Sequence, residues 1–133
     1  MERWLDRAIG IDYLTTSGVA EMVVDAFQNR IRAGIWRAPV YVVMPSHVHL
    51  LIEMLRKGLK ECLESFKERT GREAAKILDR HGHRFWQTEW FDRWVRTREE
   101  EVSITEYIQQ NPVMAKLVTD YHDWPFGSWN SNK

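Results

Sequence analysis

Two β-rich runs on either side of a Pro-Ser pair limit the possible folds of this chain more than any other feature. The first run covers residues 40–44, with a flank from Ile35, and the second covers residues 47–54. Runs of β-branched and aromatic residues that are bounded by turn residues favour strands. The sequence therefore predicts a β-hairpin with its tip at Pro45-Ser46.

Helical patterns surround this hairpin. Apolar residues at helical spacing over 19–31 predict a first helix, with Thr16 or Ser17 as its N-cap and Gly34 at its end. A second, longer apolar stripe predicts a helix over residues 59–78.

The last third of the chain predicts one more strand and one more helix. Residues 85–95 are aromatic and β-branched enough for a strand, and residues 97–100 fit a capping box. We expect that helix to end near Gln110, because Pro112 disfavours α geometry at Asn111. The order of elements predicts an α+β fold in which helices cover a small antiparallel sheet.

Length and composition indicate one globular domain over residues 1–133, with a C-terminal tail from about residue 120. The chain has 133 residues, of which 44% are hydrophobic, and its formal net charge is zero. Its single cysteine, Cys62, excludes an internal disulfide framework. No apolar run reaches membrane-spanning length and the N-terminus lacks a signal-peptide pattern, so we expect a cytoplasmic protein.

A basic stretch lies within this neutral chain. Residues 56–84 contain nine basic and five acidic residues, together with His81 and His83. The ordinary interpretation is a solvated helix face. If the chain binds DNA, the phosphate contacts that we expect are made by Lys60, Lys67 and Lys76.

His47 and His49 alternate with Val48 in the predicted second strand, so both imidazoles project to the same face. Such a pair is either structural or the beginning of a metal site. A structural zinc site would need two more ligands, for which His81 and His83 are the only close candidates. An open site, with two histidines and one oxygen ligand, fits better.

Tyr107 and Asn111 lie four residues apart and therefore share one face of the last predicted helix. A tyrosine in a helix is most often a packing residue. An amide at this spacing could nevertheless join a metal beside which the phenol attacks, with Gln110 as the weaker alternative.

Residues 43–52 and 107–118 resemble the two signatures of the single-tyrosine HUH transposases, named for a His–hydrophobic–His triplet. The branch that they resemble most is that of the REP-associated tyrosine transposases. Residues 85–93 and 121–129 also resemble segments of that family, and the resemblance covers roughly residues 15–129.

The resemblance implies a ferredoxin-like sheet and DNA transposition through cleavage of single-stranded or hairpin DNA by a monomer or homodimer. His47, His49 and Asn111 would hold Mg²⁺ or Mn²⁺, and Tyr107 would form a 5′-phosphotyrosine link. A phenol with an ordinary pKa of about 10 needs such activation at neutral pH. Polarisation of the scissile phosphate by the metal would supply it.

The sequence departs from the family pattern at three places. Ser46 stands where the family has Asn or Asp, and Met114 and Lys116 replace a basic residue and a glycine. The family fold also begins with a strand ahead of the segment at Trp4, whereas only three residues precede Trp4 here. We therefore expect the first, central strand of the sheet to be missing.

Two other functions compete with an active transposase. One is a catalytically inactive derivative of the same fold, possibly truncated, that binds hairpin DNA without cleaving it. The other is an α+β interaction module whose histidine pair is structural. DNA affinity at low salt separates the last alternative from the other two.

Overall fold

The computed structural model describes residues 3–8, 18–56, 58–78, 86 and 91–130. The strands are β1 (Arg3–Ala8), β2 (Trp36–Val43), β3 (His47–Met54) and β4 (Phe91–Trp94). The helices are α1 (Val19–Arg32), α2 (Leu59–Leu78) and α3 (Arg98–Met114), and two short 3-10 turns follow at Tyr121–Asp123 and Ser128–Asn130. None of the helices in these residues is long and apolar enough to cross a membrane.

The four strands form one antiparallel sheet in the order β2-β3-β1-β4. The chain passes through it as β1-α1-β2-β3-α2-β4, which is the ferredoxin-like arrangement. The α+β class and the helix-covered sheet that the sequence predicts are therefore confirmed.

The expectation of a missing first strand is wrong, because β1 supplies it. Its residues pair with β3 from Arg3 opposite Ile52 to Ala8 opposite His47, and β4 pairs along its other side. Leu5 faces one core and Trp4 packs against the other. This segment has only the apolar pair Trp4-Leu5 between charged residues, so it shows neither the alternation nor the continuous apolar run that would indicate a strand.

The sheet separates two cores. On one face, α1 and α2 cover Val48, Leu50 and Ile52 of β3. On the other face, α3 and the aromatic residues near the C-terminus cover Val42 of β2 and Leu51 of β3. The molecule thus has three layers, and β3 contributes side chains to both cores.

The predicted hairpin is confirmed, with its tip at Pro45-Ser46 between β2 and β3. Its last bond runs from Met44 N to His47 O, at 2.7 Å. Residues that follow α3 cover the outer edge of β2: Val43 N donates to Phe126 O at 2.8 Å, and Trp124 Nε1 donates to Val43 O at 3.0 Å. The predicted tail is therefore folded over this part of its length.

Helix α1 begins differently from the prediction. Its N-cap is Gly18, which has a φ of 92°, and the Glu21 carboxylate accepts a hydrogen bond from Gly18 N at 3.1 Å. Thr16 and Ser17 lie outside the described residues. The predicted end of the helix at Gly34 is confirmed, since Gly34 has a φ of 71° directly after the C-cap.

Helix α3 begins as predicted, with Thr97 Oγ1 accepting from Glu100 N at 3.1 Å. Its predicted end near Gln110 is wrong, because the helix continues through Pro112 to Met114. A proline at this position forgoes the bond that its amide would make to the carbonyl four residues earlier, and its ring crowds that carbonyl. Pro112 is buried in return, and this packing holds the last turn in place.

The strand predicted over residues 85–95 is shorter where the structure describes it, since β4 covers only Phe91–Trp94. Trp86 is buried, and its indole nitrogen donates to Thr70 Oγ1 of α2 at 2.8 Å. Residues 87–90, together with His81 and His83, lie outside the described residues.

Candidate active site

Strand β3 presents His47 and His49 on the face of the sheet that α3 covers. The two imidazole rings are nearly parallel, with centroids 6.1 Å apart, as the strand periodicity predicts. His49 is only 5% exposed, whereas His47 at the hairpin tip is exposed. Because β2 and β1 both pair with this part of β3, the backbone that carries the histidines is fixed from both sides.

The orientation of His47 is set by the residue before it. Ser46 Oγ lies 2.8 Å from His47 Nδ1, within hydrogen-bond distance. A hydrogen bond at one imidazole nitrogen orients the ring, and when that nitrogen is the donor, the other nitrogen is left to ligate a metal. With Nδ1 donating to Ser46 Oγ, Nε2 is the nitrogen of His47 that can bind a ligand.

Helix α3 brings Tyr107 to these histidines. Ile104 and Ile108 are buried against the sheet and anchor the helix, and Tyr107 lies beside them. The phenol ring meets His49 edge to face, with centroids 5.8 Å apart and an interplanar angle of 90°. Tyr107 remains 41% exposed, so a large substrate can reach it.

Asn111 follows Tyr107 by one helical turn and has an unsatisfied amide. Its Nδ2 is buried and has no hydrogen-bond partner among the described residues. A buried polar group without a partner is costly, and such groups in native structures are often completed by a ligand or an ion. Rotation of the amide by 180° exchanges its nitrogen and oxygen, so the same position can offer an oxygen ligand.

These residues fit an open metal site rather than a closed one. No group of three or more His, Cys, Asp or Glu side chains that could hold a metal occurs in the described parts of the chain. A cation at this place would therefore depend on two imidazoles and one amide oxygen. Such a set leaves positions open for water or a phosphate oxygen.

The three lysines predicted to bind DNA do not lie at this site. Lys60, Lys67 and Lys76 belong to α2, which packs on the other face of the sheet. Lys76 Nζ also lies 3.4 Å from a carboxylate oxygen of Glu73. Their contact with DNA stays a prediction, and it would require a DNA path beyond the tyrosine face.

The pKa shifts of Arg30 and Asp120 arise in other parts of the fold. Burial lowers the pKa of the Arg30 guanidinium, which lies 5.0 Å from the centre of the Phe66 ring between α1 and α2. Hydrogen bonds from the backbone and side chain of His122 lower the pKa of the Asp120 carboxyl. The second shift comes from the cap of the 3-10 turn after α3.

Sequence reasoning missed Trp4 as a residue of this site. Its ring meets Tyr107 edge to face, with centroids 5.6 Å apart and an interplanar angle of 69°. Trp4 lies on β1, the strand that was expected to be missing. The one available signal was a large aromatic residue in a segment that showed no periodicity.

The sequence matches the family model of IS200-like transposases over residues 12–111, a range that includes both histidines, Tyr107 and Asn111. The chain therefore belongs to the IS200-like transposase family. Among curated proteins, none matches this sequence.

Two solved structures show the same fold. A REP-associated tyrosine transposase bound to a REP hairpin is 21% identical, with a TM-score of 0.73, and the match covers 96% of this chain and 76% of that one. A candidate transposase from Deinococcus radiodurans R1 is 18% identical, with a TM-score of 0.57, and the match covers 83% and 89%.

Proposed function

We propose that this chain cuts and rejoins single-stranded or hairpin DNA in the cytoplasm through a covalent bond to Tyr107. The observation that carries the proposal is the contact between the rings of Tyr107 and His49. Residues that are far apart in sequence, on β3 and α3, meet there on one face of the sheet. Membership of a transposase family supports DNA as the substrate.

His47, His49 and Asn111 are the residues that would hold Mg²⁺ or Mn²⁺. The buried Asn111 amide and the Ser46 contact to His47 Nδ1 support this ligand set. A divalent ion bound there would polarise the scissile phosphate and stabilise charge on its oxygens.

Tyr107 acts as the nucleophile in this proposal. Its phenol oxygen attacks the phosphorus, a Tyr–O–P bond forms, and the bond from phosphorus to the 3′ oxygen breaks. The phenol loses one proton and the leaving 3′ oxygen gains one, so the products are a 5′-phosphotyrosine and a free 3′-OH. Because a phosphodiester is kept at every stage, attack by a 3′-OH rejoins the strand without ATP.

The structural match to a protein bound to a REP hairpin supports hairpin DNA as the partner. The exposure of Tyr107 is compatible with this partner, since an extended backbone needs an open approach to the nucleophile. The lysines of α2 would contact DNA that continues around the molecule.

The proposal is tested with oligonucleotides that carry a hairpin, a single-stranded flank and a fluorescent label at the 3′ end. We expect an adduct that survives denaturing electrophoresis with Mg²⁺ or Mn²⁺ and disappears with a chelator. The adduct should be absent in Tyr107→Phe and in His49→Ala. Tyr121→Phe is the matched control, because Tyr121 is a half-buried tyrosine outside the histidine cluster, and it should form the adduct normally.

An adduct that persists in Tyr107→Phe would contradict the assignment of the nucleophile. Hairpin binding by the wild-type chain without an adduct would instead support a non-cleaving derivative of the same fold. Absence of DNA binding at low salt would reject both functions, since phosphate contacts are strongest there.

A further inference from the structure

Among the described residues, Tyr107 has two aromatic neighbours, and the proposed chemistry uses only one of them. The centroid of the phenol ring lies 5.8 Å from that of His49 and 5.6 Å from that of Trp4, and both contacts are edge to face. The Cα of Trp4 lies opposite that of Leu51, two residues along β3 from His49. The Tyr107 ring therefore contacts side chains of two adjacent strands.

We propose that Trp4 is a positioning residue that holds the Tyr107 ring beside His49. This inference rests on the proposed function, in which Tyr107 is the nucleophile. A tyrosine on a helix surface can occupy more than one rotamer, and one that is 41% exposed has room to turn towards solvent. Trp4 restricts that movement because its own ring packs against the core beneath α3.

The surroundings of Trp4 favour this role over a direct contact with DNA. Trp4 is partly buried, and it packs with the cluster that includes Val40, Leu51 and Ile108. A base-stacking residue would present an open ring face to the substrate. A positioning residue has a different signature, since its loss slows the covalent step and leaves DNA affinity unchanged.

The test compares Trp4→Leu and Trp4→Phe with the wild-type chain. DNA affinity is measured on the labelled hairpin oligonucleotide, and the single-turnover rate of adduct formation is measured at saturating DNA with Mn²⁺. We expect Trp4→Leu to lower this rate by about tenfold, because misplacement of a reacting group by about 1 Å can cost up to about a hundredfold. The Kd for DNA should stay within about twofold, and Trp4→Phe should restore most of the rate because it keeps an aromatic edge contact.

Trp36 provides the matched control. It is a tryptophan of the same sheet that is only 1% exposed, but it packs against Phe27 and Phe66 in the core under α1 and α2. Trp36→Phe and Trp36→Leu should reduce stability at least as much as the Trp4 variants. They should leave the single-turnover rate unchanged at temperatures where circular dichroism shows a folded protein.

Three results would overturn the proposal. These are an unchanged rate in Trp4→Leu, a loss that appears only in the Kd for DNA, and an equal loss of rate in a folded Trp36 variant. Absence of an adduct in the wild-type chain would contradict the proposed function rather than the contact. In that case the contact is tested by ¹⁹F NMR of protein labelled with 3-fluorotyrosine, in which Tyr107→Phe identifies the Tyr107 signal. Trp4→Leu should shift the Tyr107 signal, and an unmoved signal would reject the positioning role.

Discussion

Lys116 is in a left-handed backbone conformation directly after the helix that carries Tyr107 and Asn111. Its φ is 61°, and it is the one residue other than glycine with a positive φ in the described part of the chain. Lys116 N donates to Val113 O at 2.9 Å, and Leu117 N donates to Pro112 O at 2.9 Å. This pair of bonds is the Schellman motif, whose left-handed position is usually a glycine. The replacement of the family glycine by lysine therefore has a structural cost that can be measured.

Two opposing effects determine how much a glycine at position 116 changes the free energy of unfolding. The left-handed conformation costs about 1–2 kcal/mol for a residue with a Cβ atom. Glycine avoids this cost but loses about 0.5–1 kcal/mol more backbone entropy on folding. At position 116 we therefore expect Gly to be more stable than Ala by about 1 kcal/mol, or about 4 °C in Tm for a domain of this size. The comparison is made between Ala and Gly because the Lys116 charge itself contributes about 0.3–1 kcal/mol near a helix C-terminus.

Position 115 provides the internal control. Ala115 has a φ of −79°, so only the entropic effect acts there, and Ala115→Gly should lower the free energy of unfolding by about 0.5–1 kcal/mol. Urea unfolding with a common m value measures both pairs. We expect the difference in unfolding free energy between Gly and Ala to change sign between these adjacent positions. The Gly variant should be the more stable one at position 116, and the Ala variant at position 115. If Ala is the more stable residue at both positions, the backbone strain that we infer at Lys116 does not exist.

Two further predictions concern the hairpin tip and the turn after α3. Ser46→Ala should weaken the binding of Mn²⁺, measured alone by calorimetry, by about tenfold, because His47 loses the partner that orients its ring. Ser103→Ala, on the exposed surface of α3, is the control and should leave the Mn²⁺ affinity unchanged. Equal affinities in the wild-type chain and both variants would reject the orienting role of Ser46. The pKa of Asp120 should lie below 3.8, mainly because His122 N donates to its carboxylate. The stabilisation from this cap is then complete above pH 3.8 and is lost as the pH falls through the lower folded pKa, and an NMR titration midpoint at or above 3.8 would contradict it.

Local signals in the sequence were sufficient for the hairpin and for the cap of α3. They failed where tertiary packing decides the structure. The rule for residues before proline predicted an end near Gln110, but burial of Ile108 and Pro112 extends α3 by one more turn. Strand β1 gave no signal because its six residues contain neither an alternating pattern nor a continuous apolar run, and only its pairing with β3 and β4 makes it a strand.

The candidate site shows the same division between local and tertiary information. Strand periodicity places His47 and His49 on one face, and helix periodicity places Tyr107 and Asn111 together. Neither periodicity predicts that the histidine pair and the Tyr107–Asn111 pair lie next to each other. The basic residues of α2 likewise follow a local pattern, and the sequence alone could not show that their helix lies on the face of the sheet away from the histidines.

The topology explains why the pairs meet. Strands β1 and β2 run parallel, as do β3 and β4, so α1 and α2 are both crossover connections. Right-handed crossovers in this order place both helices on the same face of the sheet. That face takes Val48 and Leu50, so the alternation of β3 turns His47 and His49 to the opposite face. Helices α1 and α2 both lie on the face that carries Val48 and Leu50. A helix that brings the proposed catalytic tyrosine to the histidines therefore has to follow β4, and α3 is that helix.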